Sequence, residues 1–273
     1  VRAMQIQALP KLSRRREPWQ IQRAVLFALV VRELRARVEG RWGGLLWMLF
    51  EPLAHVLLIV GFIGVRSHMV MLNVDYPVFL ITGLLPFFLF RNLARRLPVA
   101  INSNKALFAY RQVMPIDALM ARAIVEIGLY AAVYLVALSL LGWLGYHSIP
   151  AHPLELLVVT SLLLTLGVAL GLLFSVIVHW QARATTIIGL IFYPLYFSSA
   201  VIFPLHNLSA SIRSWLLLNP VLHLVEMSRH YFIPDYNALP GVNLSYPAAW
   251  ALVVLVLGLS SYRAYRKNFM SVN

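Results

Sequence analysis

Long apolar stretches separated by charged loops dominate this chain. Six such stretches carry few charges, and a helix needs about 20 apolar residues to cross the hydrocarbon core of a bilayer. The composition agrees, since 60% of the residues are apolar and only 12% are charged. The pattern predicts an all-α polytopic membrane protein, one domain over 1–273. The predicted transmembrane helices are 45–65, 77–98, 119–146, 154–178, 184–203 and 247–262.

The N-terminal segment 1–44 also contains a short apolar stretch. Residues 24–31 are bounded by Arg23 and Arg32, and a helix of this length rises only about 12 Å. Because that is too short to cross a membrane, an interfacial helix is expected here.

The segment 204–246, between the last two spans, is rich in proline and apolar residues. It predicts two short helices, 211–218 and 221–232, neither of which can span. Such helices are re-entrant or lie at the membrane interface. Glu226 and Arg229, three residues apart on the second helix, are expected to form a local ion pair.

Basic residues are distributed very unevenly over the two sides of this pattern. The segment 1–44 has ten Lys and Arg, 91–122 has six, and Arg183 and the C-terminal tail add four, which makes 20 of the 23. By the positive-inside rule, both termini are cytoplasmic and 204–246 is periplasmic. The net charge of +13 then reflects topology and contact with membrane lipids. No nucleic-acid partner is expected, since no recognition fold for one is predicted.

The cytoplasmic loop 99–122 predicts a short helix with an apolar surface. Asn102 and Ser103 are favourable N-caps, residues 105–113 are expected to be helical, and Pro115 ends the helix. An apolar patch that faces the cytosol is typical of a partner site, although these side chains could instead pack on the membrane face of the same chain. The side chains of the patch are Leu107, Phe108, Tyr110 and Met114.

Three side chains at the start of the first span need an explanation beyond spanning. Trp42 and Trp47 are consistent with an aromatic belt at headgroup level. Glu51 lies about 9 Å into the helix, where an ionised carboxylate is costly unless it faces protein or water. It either forms a packed pair with His55 or lines a polar pathway.

Catalytic motifs are absent from the sequence. There is no cysteine, no Gly-x4-Gly-Lys phosphate-binding loop and no protease signature. A proton-coupled carrier would need carboxylates near mid-membrane, and none of the three Asp lies in a predicted span. His223, Glu226 and His230 lack a recognisable zinc spacing. The chain is therefore expected to be non-catalytic, without a cofactor or metal, and any ATP would be hydrolysed by a separate subunit.

Three segments carry a resemblance to a known family. The sequences WMLFEPL at 47–53, NKALFAYRQVMP at 104–115 and LNPVLHLVEMSR at 218–229 resemble type 2 ABC exporter permeases. The branch they are most similar to is the capsular polysaccharide export permeases of Gram-negative bacteria. The similarity runs from about Arg32 to the C-terminus, with each loop in the same place.

The resemblance implies a mechanism for the whole assembly. Two permease copies would form a homodimeric channel in the bacterial inner membrane, and an ATPase dimer, which holds ATP and Mg²⁺, would dock on the cytoplasmic face. The coupling helix maps onto 102–113, the interfacial helix onto 19–38 and the outer hairpin onto 200–246. Periplasmic and outer-membrane export proteins would help to move a lipid-linked acidic polysaccharide. The residues implied in ATPase coupling are Asn104, Lys105, Leu107, Phe108, Tyr110, Arg111 and Met114.

A path for an acidic glycan needs aromatic faces for sugar rings and cations for acidic groups. Each such aromatic residue could instead face lipid or the core, and each arginine could simply serve topology. The candidate path residues are Trp42, Trp47, Glu51, Phe87, Phe88, Arg91, Arg95, Tyr193 and Tyr196. Alternative cargoes are O-antigen, teichoic acid or another lipid-linked glycan, and an ion-coupled secondary carrier is the remaining alternative.

Overall fold

The computed structural model describes residues 17–39, 50, 53–55, 57–58, 69–71 and 74–270. Two 3₁₀ turns, Lys105–Ala109 and Leu205–Asn207, and a two-stranded antiparallel ribbon, β1 Met69–Met71 and β2 Val74–Asp75, accompany the helices. The helices are α1 Pro18–Glu39, α2 Tyr76–Ser103, α3 Pro115–Trp143, α4 Pro153–Trp180, α5 Ala184–Ser198, α6 Ala210–Leu216, α7 Pro220–Phe232 and α8 Ser245–Met270.

Four of the described helices, α2, α3, α4 and α8, are long and apolar enough to cross a membrane. The prediction of a helical polytopic membrane protein is confirmed at this level. The predicted first span, 45–65, lies largely outside the described residues. The predicted fifth span, 184–203, contains α5, which is 15 residues long and ends at Ser198.

Helix α2 is the centre of the bundle. In its apolar window 89% of the residues are buried, against 28% in α3 and 22% in α8. It packs against α3, α4, α7 and, more sparsely, α5. Helix α4 in turn packs against α8. The outer helices therefore keep broad apolar surfaces for lipid, while α2 is covered on most sides by protein.

Small residues on α4 allow the two most extensive helix contacts. A Cβ at Gly171 would lie 2.9 Å from the Leu97 Cβ, and one at Gly167 would lie 3.1 Å from the Phe90 carbonyl oxygen, both on α2. On the other side of α4, Gly258 of α8 approaches the Ala169 carbonyl oxygen. The Gly167–Gly171 pattern thus serves close packing inside one chain.

The segment after α5 is fixed by a fully buried arginine. Arg229 of α7 forms the predicted ion pair with Glu226, at 2.7 Å, which confirms that expectation. Its guanidinium also donates to the carbonyl oxygens of Ala200 at 2.9 Å and Val201 at 2.7 Å, and it lies 3.6 Å from the centre of the Phe79 ring. One side chain therefore joins α7, the end of α5 and the start of α2.

The buried carboxylate of Glu226 has a second partner. The Tyr236 hydroxyl donates to its other oxygen at 2.9 Å. At the junction with α5, the Asn219 side chain accepts a hydrogen bond from the Val221 amide at the start of α7 and donates to the Ser199 hydroxyl. Helix α7 is thus attached to the bundle by polar contacts that satisfy both of its buried charges.

Gly83 leaves the space that the Arg229 guanidinium occupies. A Cβ at position 83 would lie 2.4 Å from Arg229 Nη2. The end of an arginine could normally move away, but this one is held by Glu226 and by backbone carbonyls. We expect Gly83→Ala to cost about 1.5–3 kcal/mol, the value of a hydrogen bond to a charged group. The measurement is the temperature at which half of the protein in detergent is no longer monodisperse, called the half-loss temperature below.

Gly128→Ala is the matched control, because nothing lies within 4 Å of a Cβ at that position on α3. It makes the same chemical change on another long helix and should leave the half-loss temperature unchanged or slightly raised. Equal behaviour of the two variants would contradict the close approach of Gly83 to Arg229.

Candidate substrate pocket and coupling surface

A cavity of about 230 Å³ lies where α2 and α5 approach each other. It opens to one side and is walled almost entirely by rings and guanidinium groups. The described residues that line it are His55, Phe88, Arg91, Arg95, Gly189, Phe192, Tyr193, Tyr196 and Phe197.

Helical periodicity explains how these residues meet. Phe88, Arg91 and Arg95 are three and four residues apart, so they share one face of α2. Gly189, Tyr193 and Tyr196 repeat the same spacing on α5. Five predicted path residues therefore lie around one cavity: Phe88, Arg91, Arg95, Tyr193 and Tyr196.

The rings of the cavity contact one another in sequence. The Arg91 guanidinium lies 4.1 Å from the centre of the Phe88 ring. His55 packs edge-on against Phe88 at 5.3 Å, and its Nε2 lies 3.4 Å from the Tyr196 hydroxyl. These contacts hold Tyr196 and Phe88 in fixed orientations, while Tyr193 is exposed.

Glycine gives one of the arginines room at the wall. A Cβ at Gly189 would lie 3.1 Å from Arg95 Nη2, so a larger residue on α5 would push the guanidinium aside. Arg95 itself is exposed and Arg91 is half-buried. Both arginines thus line the cavity, and a guanidinium can form two parallel hydrogen bonds with an acidic group.

Phe87 does not line this cavity, so its place on a substrate path stays a prediction. Phe87 is completely buried and supports Tyr196 from behind, with ring centres 5.3 Å apart. Adjacent residues on a helix point about 100° apart, which sends Phe88 and Phe87 to different surroundings. Trp42, Trp47 and Glu51 lie outside the described residues. The sequence reasoning missed His55, Gly189 and Phe192 as lining residues.

The loop between α2 and α3 differs from the predicted helix 105–113. It contains only a five-residue 3₁₀ turn, Lys105–Ala109, and this turn packs against α8. Phe108 is buried in the core, so the prediction that it faces the cytosol is wrong. Tyr110 and Met114 are exposed, at 66% and 56%, and Arg111 is exposed beside them.

Asn104 also has a structural position in this loop. Its side-chain amide donates to the Ala100 carbonyl at 2.8 Å, and its oxygen accepts a hydrogen bond from Arg32 at 2.7 Å. Lys105 and Leu107 are half-buried. Among the predicted coupling residues, the exposed ones are therefore Tyr110, Arg111 and Met114.

Helix α1 is attached to the loop between α2 and α3, and to α3 itself, by polar contacts along its length. Besides the Arg32 contact, Gln22 donates to Asp117 Oδ1 at 2.6 Å. Farther along, Glu33 accepts hydrogen bonds from Arg122 at 2.9 Å and from Arg37 at 3.2 Å. These bonds fix α1 against α3 and the loop between α2 and α3.

Glu126 of α3 is the buried member of the same network. Its carboxylate is fully buried and pairs with Arg37 of α1 and, at 3.5 Å, with Arg96 of α2. Side chains from α1, α2 and α3 therefore meet at the Glu126 carboxylate. The sequence reasoning did not predict these partners.

Comparison with known proteins identifies the family. Residues 24–233 match the family described as ABC-2 type transporter. The chain belongs to the ABC-2 type transporter family. It is 38% identical over 256 residues to the polysialic acid transport protein KpsM of Escherichia coli, with 94% of this chain and 99% of the relative covered.

Two other relatives extend this similarity. The capsule polysaccharide export inner-membrane protein CtrC of Neisseria meningitidis is 29% identical, with 92% of this chain and 95% of the relative covered. The O-antigen export system permease protein RfbA of Myxococcus xanthus is 28% identical, with 90% and 94% covered. The match to KpsM reaches beyond the family segment at both ends, so it includes the first residues of α1 and the first residues of α8.

The attachment of α1 should depend on pH through Glu33. Burial by itself would raise the pKa of Glu33, but the Arg122 and Arg37 guanidiniums outweigh it and hold the pKa below its usual 4.5. A lowered pKa means that the contribution is complete above about pH 4.5 and is lost as the pH falls through the folded value. The backbone amides of residues 18–39 should therefore be equally protected from hydrogen exchange at pH 7 and pH 6, after correction for intrinsic exchange rates.

Glu33→Gln should loosen α1 already at pH 7, because it removes the charge that pairs with Arg122 and Arg37. Glu17→Gln is the control, since Glu17 is exposed at the start of α1 and forms no salt bridge among the described residues. Equal exchange in both variants at pH 7 would show that the Glu33 charge does not hold the helix.

Proposed function

We propose that this chain is the transmembrane subunit of an ATP-driven exporter for lipid-linked capsular polysaccharide in the bacterial inner membrane. Two copies would form the channel, with both termini in the cytoplasm. The observation that carries the proposal is the cavity between α2 and α5, where aromatic faces stand beside two arginines. It supports an acidic glycan as cargo, and the polysialic acid transport in the name of KpsM and the capsule polysaccharide export in the name of CtrC agree with this chemistry.

The cavity offers different contacts to different parts of such a cargo. Tyr193 and Tyr196 present rings to the apolar faces of sugars, while Arg91 and Arg95 attract carboxylate or phosphate groups. The open side would admit a long molecule rather than enclose a small one. This arrangement suits the passage of a glycan chain, because the described wall leaves one side of the cavity open.

The energy would come from an ATPase dimer that holds ATP and Mg²⁺ and docks beside α1. The exposed Tyr110, Arg111 and Met114 lie on a loop whose inner side chains are fixed by Arg32 and by packing on α8. A displacement of this rigid loop would reach α2 and α3 directly, since it joins their ends. Periplasmic and outer-membrane export proteins would continue the path.

An O-antigen or another lipid-linked glycan, such as teichoic acid, is the alternative cargo, and the similarity to RfbA favours O-antigen among these. An ion-coupled carrier is less well supported. The buried carboxylates of Glu126 and Glu226 both pair with arginines of the same chain, so they serve packing between helices and do not line the cavity.

Tyr110→Asp should abolish the stimulation of ATPase activity by the permease while membrane insertion stays normal. A charge on this exposed ring would disrupt an apolar contact without disturbing the core. The assay is ATP hydrolysis by the co-purified complex of this chain with the ATPase of its own export system. Trp215→Asp, at an exposed aromatic of α6, is the control. Full stimulation in Tyr110→Asp would overturn the proposed docking surface.

Phe108→Asp should behave differently from Tyr110→Asp, because its charge would be buried. It should lower the yield of folded protein in detergent as well as the ATPase stimulation. A stable, monodisperse Phe108→Asp variant that only fails to stimulate the ATPase would contradict the inward packing of Phe108.

Arg95→Gln should reduce export of the acidic glycan about tenfold, if one charge-assisted contact contributes about 1.4 kcal/mol. Stimulated ATPase activity should remain, since the coupling surface is unchanged. Arg183→Gln, an exposed arginine outside the cavity, is the matched control. Export is measured as surface glycan in cells that lack the native permease gene. Equal export by both variants would remove Arg95 from the path.

A further inference from the structure

A second cavity, separate from the candidate substrate pocket, lies between α3 and α4. Its volume is about 480 Å³, and most of its wall is apolar. Its floor is the surface of α2 at Leu85, Pro86 and Leu89, and its sides include Tyr134 of α3 and Leu164 of α4. A volume of this size is in the range of sites that bind small molecules.

The cavity exists because two consecutive helices do not pack against each other. Helices α3 and α4 both lie on α2, but they make few direct contacts with one another. The loop 144–152 joins them at one end, and Pro150 and Pro153 form that end of the cavity. The resulting cleft is open at its side, where Leu135 and Leu157 are exposed.

The surroundings of this opening limit what can fill it. Both side helices are long and apolar enough to span a membrane, so the exposed leucines at the opening face hydrocarbon. Even apolar cavities of about 150 Å³ take up apolar molecules rather than water. Along α4 the cavity runs from Pro153 to Leu164, roughly 16 Å of helix, and one leaflet of the hydrocarbon core is about 15 Å thick.

One polar atom in the wall lacks a partner. The Tyr134 hydroxyl is buried and has no hydrogen bond among the residues that the structure describes. The neighbouring polar groups are engaged, since Thr160 donates to the Leu156 carbonyl and Ser228 to the Thr82 carbonyl. A buried hydroxyl of this kind calls for an acceptor. An ester oxygen of a lipid would provide one.

We infer that the cleft between α3 and α4 binds an acyl chain of an ester-linked membrane phospholipid, with the Tyr134 hydroxyl donating to a lipid oxygen. The site lies on the 144–152 side of the membrane, which the charge pattern predicts to be periplasmic. It is distinct from the α2–α5 cavity, because the two cavities share no lining residue. The bound lipid would fill the gap and fix the distance between α3 and α4.

The test is photolabelling of the full chain in phosphatidylethanolamine and phosphatidylglycerol vesicles that contain a trace of phosphatidylethanolamine with a diazirine on its acyl chain. Labelled peptides should concentrate at 127–135 and 156–164. Ala131→Trp, at the exposed rim, should lower labelling of 156–164 by about tenfold or more, as expected if a bulky ring removes about 1.4 kcal/mol of binding.

Val136→Trp is the matched control, because Val136 is exposed on the same helix but does not line the cavity. It should leave the labelling of 156–164 unchanged. Labelling in Ala131→Trp that equals wild type would overturn the inference. Crosslinks from 127–135 to a second copy of the chain would also overturn it, because the cleft would then be a protein interface.

The role of Tyr134 is tested with an ether-linked version of the same photoreactive lipid. Wild type should label about threefold more with the ester lipid, the effect of one neutral hydrogen bond, and Tyr134→Phe should lose this preference. Equal labelling of wild type by ester and ether lipids would overturn the assignment of the hydroxyl. A preference that persists in Tyr134→Phe would do the same.

Discussion

The buried guanidinium of Arg229 holds together the two helices that form the candidate substrate pocket. It contacts the Phe79 ring near the start of α2 and the carbonyl groups of Ala200 and Val201 just past the end of α5. These helices touch only sparsely elsewhere. Their spacing, and with it the distance between the arginines on one wall and the tyrosines on the other, therefore depends on this side chain.

A buried ion pair of this kind is not simply a source of stability. Removing two charges from water costs several kcal/mol, which good geometry offsets, whereas losing one partner leaves the other charge stranded. Ala200 accepts a hydrogen bond in a left-handed conformation, with φ of 52°, which is uncommon for a residue other than glycine. The arrangement thus fixes one backbone path after α5 and excludes alternatives, which is what a pocket wall requires.

Much of the architecture could be predicted from the sequence, because the bilayer imposes a minimum apolar length and the periodicity of a helix groups residues on faces. That reasoning identified Phe88, Arg91, Arg95, Tyr193 and Tyr196, which lie around one cavity. It could not decide the orientation of side chains that depends on packing with distant helices. Phe87 and Phe108 are as apolar as their neighbours, and only α5 and α8 determine that they face inward.

The polar attachments were harder to predict than the spans. Arg37 and Glu126 are 89 residues apart, and no local pattern joins them. Gly83 has no sequence signal of its own, since its role is to leave space for a side chain 146 positions later. The pair of Glu226 and Arg229 could be predicted because its members are three residues apart on one helix. Separation along the chain, rather than chemical type, divides the successes from the misses.

The central position of α2 has a consequence for the order in which the chain assembles. The helices that cover it, α3, α4 and α7, are all synthesised after it, and Arg229 follows Phe79 by 150 residues. At a translation rate of about 5–20 residues per second, roughly 8–30 s pass between the synthesis of Phe79 and that of Arg229, which packs against the start of α2. Until α5 is made, the pocket wall that faces Arg91 and Arg95 is also missing. Biogenesis, more than the final fold, is then the stage at which this helix is most vulnerable.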